Sequence, residues 1–300
     1  MTRKKLMYWL VALLAFGLAA CETDEGDTAT NLIEMQAGDF FIEAPDEIPS
    51  GWTTLRMENT GEQEHFIVLW PLPADKDYVD FENEVLGPFH DLVPRYDAGD
   101  LERGEFMETL GGRLPEWSFD AFGGAGGVAM TAPGRTATST VHLEPGEYVL
   151  ECYVRAPDGT LHNMMGMIAP LTVTDQANNA PEPEADRLID VHADGIEIDE
   201  PLTTGPHVIQ VNLHDHPEGL LTHDLNLARL DDDSDIDEII AWMDWLDGMR
   251  APAPVEFLGG VEHMPPGSTG YMHVDLEPGR YLWISEEYGA QGVLQDFEIE

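Results

Sequence analysis

One segment of this chain occurs twice. "GGVAMTAPGRTATSTVHLEPGEYVL" at 126–150 aligns without a gap on "GGVEHMPPGSTGYMHVDLEPGRYLW" at 259–283. Gly126, Gly127, Val128, Pro133, Gly134, Leu143, Glu144, Pro145, Gly146 and Tyr148 all recur. Upstream, "HFIVLWPL" (65–72) corresponds to "HDLNLARL" (223–230), and "LIEMQAGDFFIEAP" (32–45) to "LIDVHADGIEIDEP" (188–201). A repeat of this length means one folding unit used twice. A chain of 300 residues also exceeds one comfortable core. The repeat sets the expected boundaries at 31–174 and 187–300, joined by the polar, Pro-rich linker 175–186.

Within each copy the dominant signal is β. Apolar and polar residues alternate over 53–59, 138–143 and 208–213. Glu-Pro-Gly before a Tyr marks a turn into the next strand in both copies. Short strands punctuated by Gly and Pro predict a sandwich. Each copy carries one helical insert. "SDIDEIIAWMDWLDG" (234–248) has Ser234 as N-cap, acids in the first turn and one apolar stripe, stopped by Gly248. Its counterpart is "DLERGEFMETLGG" (100–112), and both stripes are core-packing faces.

The N-terminus has a different pattern. Arg3, Lys4 and Lys5 precede an apolar run over 6–18 and then Leu18-Ala19-Ala20-Cys21. The run is short for a membrane span and suits a secretory signal. It resembles the signal and lipobox of bacterial lipoproteins (1–21), which implies lipidation at Cys21. An acidic tether over 22–30 would follow. The chain would then be membrane-anchored through lipid in the cell envelope, facing the periplasm or the outside.

Charge excludes some partners. The chain has 58 acidic and 14 basic residues, a net charge of −44, and Lys76 is the only lysine after the leader. Such a surface repels phosphate backbones, so nucleic acid is not an expected partner. It suits a high-salt habitat, where ions screen the self-repulsion, or else a cationic partner or divalent ions.

Cysteine use narrows the chemistry. With Cys21 assigned to lipid, Cys152 has no disulfide partner in an oxidising compartment, so it is either buried and inert or held by a metal. It opens "CYVRAPDGTLHNMMGM" (152–167), which adds His162 and three methionines. This stretch, with "MENTGEQEHFIVL" (57–69) before it, resembles the cupredoxin family of plastocyanin-like sandwiches. The resemblance rests on a Gly-x-Tyr strand that delivers a Cys, a returning His, and a Met in His-x₄-Met spacing. It implies a mainly β chain of two tandem Greek-key β-sandwiches, each with its helical insert. It also implies one copper ion in the first, held by His65, Cys152, His162 and Met167. Two imidazoles, a thiolate and a weak thioether suit single-electron transfer.

The nine residues between Cys152 and His162 exceed the family's usual few. Pro157-Asp158-Gly159 is a turn signal, so the excess is expected to form a hairpin that returns His162 to the thiol. In the second copy Ser285 replaces Cys152, so no thiolate site can form there. His214, His216 and His223 belong to a polar loop or could catch a metal.

The expected function is an envelope electron carrier or copper holder with a redox protein partner. A metal-free binding or structural module and copper trafficking through Met164 and Met165 remain alternatives. Neither a catalytic nucleophile motif nor a nucleotide loop is present, so no enzyme activity is expected.

Overall fold

The computed structural model describes residues 31–215 and 219–300. Cys21, the leader and the tether lie outside the described residues, as does His216. The described chain is mainly β, and none of its helices is long and apolar enough to cross a membrane.

The first half opens with β1 (Leu32–Gly38), β2 (Phe41–Glu43) and the long β3 (Glu47–Asn59). β1 forms a hairpin with β2 and pairs in parallel with β3. β4 (His65–Pro71) follows, buried over almost its whole length. A helical excursion then covers α1 (Tyr78–Asp80), a wide π-type turn (Phe81–Leu86), α2 (Gly87–Asp97), α3 (Arg103–Arg113) and α4 (Glu116–Ala121). Next come β5 (Gly127–Thr131), β6 (Thr136–Leu143), β7 (Gly146–Glu151) and β8 (Ile168–Ala177). β3 pairs with β6 in one layer. β4 pairs with β5 and β7 in the other, and β8 pairs with β7. The first residues of β3 pair with β8, so this strand passes from one layer to the other.

The second half runs through β9 (Arg187–His192), β10 (Gly195–Ile198), β11 (Gly205–Leu213) and β12 (His223–Leu230). It continues with α5 (Ile236–Met243), β13 (Glu256–Met264), β14 (Thr269–Leu276), β15 (Gly279–Ile284) and β16 (Leu294–Ile299). Its pairings follow the same scheme: β9 with β11 in parallel, β11 with β14, β12 with β13 and β15, and β15 with β16. β5 pairs with β13 and β6 with β14, so both layers run on from one half into the other.

Glycines stand at points where the two layers face each other closely. A Cβ on Gly126 would lie 2.6 Å from Val141, and one on Gly259 would lie 2.5 Å from Ala137. Interiors this dense leave no room for an added methyl group.

Two local expectations need correction. The first insert is not one helix over 100–112 but a set of helices spanning 78–121, of which α3 is the predicted part. Pro88 and Pro94 in α2 and the glycines around it hid the 3.6-residue period. The helix predicted over 234–248 is shorter, and Asp235 caps it through the Asp237 amide. Ser234 instead accepts from the Asp231 amide. Within 175–186, β8 extends to Ala177, Asn178 bonds Ser50 and Trp52, and Glu182 accepts from the Tyr271 hydroxyl.

Candidate metal centre

β7 ends at Glu151 and delivers Cys152 to the rim of the sheet. The chain then leaves and returns as a hairpin. Arg155 bridges Leu161, the Ala156 amide bonds the Thr160 carbonyl, and the Gly159 amide bonds Ala156. The turn falls at Pro157-Asp158-Gly159, with Gly159 at φ +92°, a conformation a glycine adopts without strain. The His162 amide then bonds the Val154 carbonyl at 2.8 Å. A short 3₁₀ turn, His162–Met165, and Gly166 at φ +121° lead to Met167 and β8. The hairpin therefore returns His162 to the thiol, and the long spacing in sequence becomes a short distance in space.

His65 opens β4 beside it. The Cys152 Sγ lies 3.8 Å from His65 Nδ1 and 3.7 Å from His162 Nδ1. The three ligand atoms lie within 4.8 Å of one another, and all three residues are fully buried. Met167 is also fully buried. Its backbone bonds both the Cys152 amide and the His162 carbonyl, so it borders the group.

The far side of each ring is held by a different partner. His65 Nε2 donates to Asp39 Oδ1 at 2.9 Å. His162 Nε2 donates to Gln63 Oε1 at 3.2 Å. With Nε2 carrying the proton, each Nδ1 presents a lone pair to the thiol. Asp39 sits in the β1–β2 turn, and the Glu62 amide donates to its second oxygen at 3.0 Å. Asn59 shapes the loop that carries Gln63: its side chain donates to the Gln63 and Thr131 carbonyls and accepts from the Gly61 amide. Gly61 has no side chain because a Cβ there would lie 2.3 Å from Asp39 and 2.7 Å from His65 Nε2. Phe40 closes the outside with its ring 5.0 Å from that of His162.

The electrostatics suit a metal. Burial first, and then the repulsion that a charged His65 would exert, pull His162 down to about 3, so its imidazole is neutral. Burial lowers His65 as well, against the pull of Asp39. Burial pushes the Cys152 thiol up to about 12. A cation that displaces the thiol proton would gain a thiolate beside imidazoles that burial keeps from charging. The donor set, two imidazoles and a thiol at one point, fits copper or zinc.

No protein-family model matches the chain, and no curated protein matches it. Solved structures do. Auracyanin from the photosynthetic bacterium Roseiflexus castenholzii, in its dithionite-reduced form, is 23% identical; the match covers 49% of this chain and 98% of that one, with a TM-score of 0.28. Auracyanin A, a "blue" copper protein from Chloroflexus aurantiacus, is 16% identical over 49% of this chain and all of its own, with a TM-score of 0.30. A multicopper oxidase is 11% identical over 90% of this chain and 88% of its own, with a TM-score of 0.24.

Sequence reasoning found the three inner donors but missed their supports. Asp39, Gln63, Glu151 and Trp70 carry no motif, and only the Asn59-x-Gly61 turn could have drawn attention to the loop. Glu151, next to Cys152, accepts from Trp70 Nε1 at 2.5 Å and from Asn163 Nδ2 at 2.5 Å. Burial still raises it to about 7. Among the described residues, His214 and His223 are not brought together. His214 lies at the surface on Asp190, 2.7 Å away, and stacks on His192, whereas His223 is buried and bonds the Asp215 carbonyl.

Proposed function

We propose that this chain is a copper protein that passes single electrons or holds copper in the cell envelope. His65, Cys152 and His162 would bind the ion, with Met167 as a weak fourth ligand. One observation carries this reading: two imidazole Nδ1 lone pairs face one buried thiol at 3.8 and 3.7 Å. Copper in such a set would alternate between Cu(II) and Cu(I). The protein's part is to hold the ligands still, which Asp39, Gln63 and the hairpin do from outside. The donors are fully buried, which suits a carrier.

The envelope location and the membrane anchor at Cys21 rest on the lipobox resemblance, and a halophilic setting rests on the charge. A redox partner would meet a strongly acidic surface, so a cationic face is its expected complement. Residues 31–174 and 187–300 are read as two cupredoxin-like domains, the second supporting the first.

Adding Cu(II) to the full chain tests this. The expected result is an intense visible thiolate-to-copper band that is lost in Cys152→Ser. If no band forms, and Cys152 alkylates only on unfolding, the thiol is an inert core residue. The chain is then a metal-free structural or binding module.

A further inference from the structure

A second group of titratable side chains lies in the interior near the join of the two halves. Asp224 is on β12, Glu262 and His263 are on β13, and Glu286 follows β15. None is more than 5% exposed. Burying such groups is costly unless something compensates them.

The repeat shows that the fold does not require them. A Cβ on Gly127 would lie 2.0 Å from the Ile67 carbonyl, and one on Gly260 would lie 1.9 Å from the Leu225 carbonyl, so the two copies share a register. On that register Asp224, Glu262, His263 and Glu286 stand where the first half has Phe66, Ala129, Met130 and Tyr153. Three apolar residues and a tyrosine have become three acids and a histidine.

Their geometry points at a ligand. His263 Nδ1 donates to the Thr222 carbonyl at 2.8 Å, which turns Nε2 inward. Metal-binding histidines are commonly oriented in this way, by a carbonyl on the other nitrogen. Around Nε2 stand the Tyr153 hydroxyl at 3.0 Å, Glu262 Oε2 at 3.8 Å and Glu286 Oε2 at 3.8 Å. The Tyr153 hydroxyl also lies 3.1 Å from both Glu286 oxygens.

A charge-assisted hydrogen bond to a carboxylate closes to about 2.7–2.9 Å. At 3.8 Å neither acid makes one to Nε2, whereas two ligands about 2.0–2.2 Å from one tetrahedral ion stand about 3.3–3.6 Å apart, so each carboxylate is a few tenths of an ångström short of sharing an ion with Nε2. Glu262 Oε2 is buried and has no hydrogen-bond partner. Asp224 is already engaged by Ser285, Asn226 and the Glu286 amide, so it contributes charge rather than a ligand. Burial opposes charge on His263, but Glu286, Asp224 and Glu262 outweigh it and hold the ring up to about 10. Burial also raises Glu262 and Glu286, the latter to about 7, so a metal cation would have to displace protons from the group as it binds. The donors are spread wider than His65, Cys152 and His162, so an ion would draw the two carboxylates inward.

We propose that His263, Glu262 and Glu286, with the Tyr153 hydroxyl beside them, form a second, thiolate-free site for a divalent first-row metal cation. It does not depend on Cys152 or on the copper reading. Tyr153 directly follows Cys152, so the site would sit one residue from the first metal group.

Co(II) is the probe, added to the full-length Cys152→Ser chain after metal stripping. The titration is run in about 1 M NaCl, where the Debye length of about 3 Å suppresses binding to surface acids. One Co(II) per chain is expected, with a rise in melting temperature. His263→Gln should abolish it, and the isosteric Glu262→Gln should weaken it at least tenfold while leaving the fold intact. Failure of the Cys152→Ser chain to bind Co(II), or binding unchanged in both Gln variants, would overturn the proposal. The group would then be an imidazolium held among carboxylates.

Discussion

Asn59 has no metal chemistry of its own, yet three hydrogen bonds from its side chain set the loop between His65 and its neighbours. It is fully buried, so truncation leaves the Gln63 and Thr131 carbonyls and the Gly61 amide without their partner. Asn59→Ala is expected to cost about 2–3 kcal/mol in chemical denaturation, from buried groups left unsatisfied. It should also weaken metal binding, because Gln63 loses its anchor to His162. A cost below about 0.5 kcal/mol, the range of ordinary surface changes, would contradict this role. The inner donors His65, Cys152 and His162 were legible because residue type and order carry the signal. Asp39 was not, because its link to His65 crosses a turn and depends on the missing side chain of Gly61. Neither fact has a local pattern in sequence.

At the scale of the element, β4 and β5 come so close at Gly127 that its would-be Cβ meets the Ile67 carbonyl, and φ there is +147°. Both facts make alanine unfavourable, by sterics and by backbone strain. Gly127→Ala should cost about 3 kcal/mol or more and displace β4, which carries His65. Thermal unfolding monitored with and without Cu(II) would show both effects; a native melting temperature and native copper uptake would refute them. The hairpin turning at Pro157-Asp158-Gly159 was readable from turn residues alone, because Gly and Asp act locally. The helices over 78–121 were mostly missed, because their order comes from packing against the sheet rather than from a clean apolar stripe. Phe81, Val85, Leu86, Leu92 and Val93 bury themselves there across irregular, partly π-type turns.

Across the whole molecule, the two layers continue through β5–β13 and β6–β14. The repeat announced two similar units but gave no hint that they share sheets, since pairing between copies leaves no trace in either copy's pattern. Cutting the chain after residue 186 would leave β5 and β6 as open edges, which strands fill by pairing with other chains. Residues 31–186 alone are expected to self-associate in sedimentation, whereas the full chain should not do so through these strands. A stable monomeric fragment would mean that the second half contributes little to the first.

The central claim is that His65, Cys152 and His162 hold one copper ion through sulfur and two ring nitrogens. Copper-edge X-ray absorption on the full chain loaded with one equivalent tests it most directly. The account predicts one short copper–sulfur shell with two imidazole nitrogens, and loss of that sulfur shell in Cys152→Ser. A spectrum with only oxygen and nitrogen neighbours, identical in the wild-type chain and Cys152→Ser, would contradict it.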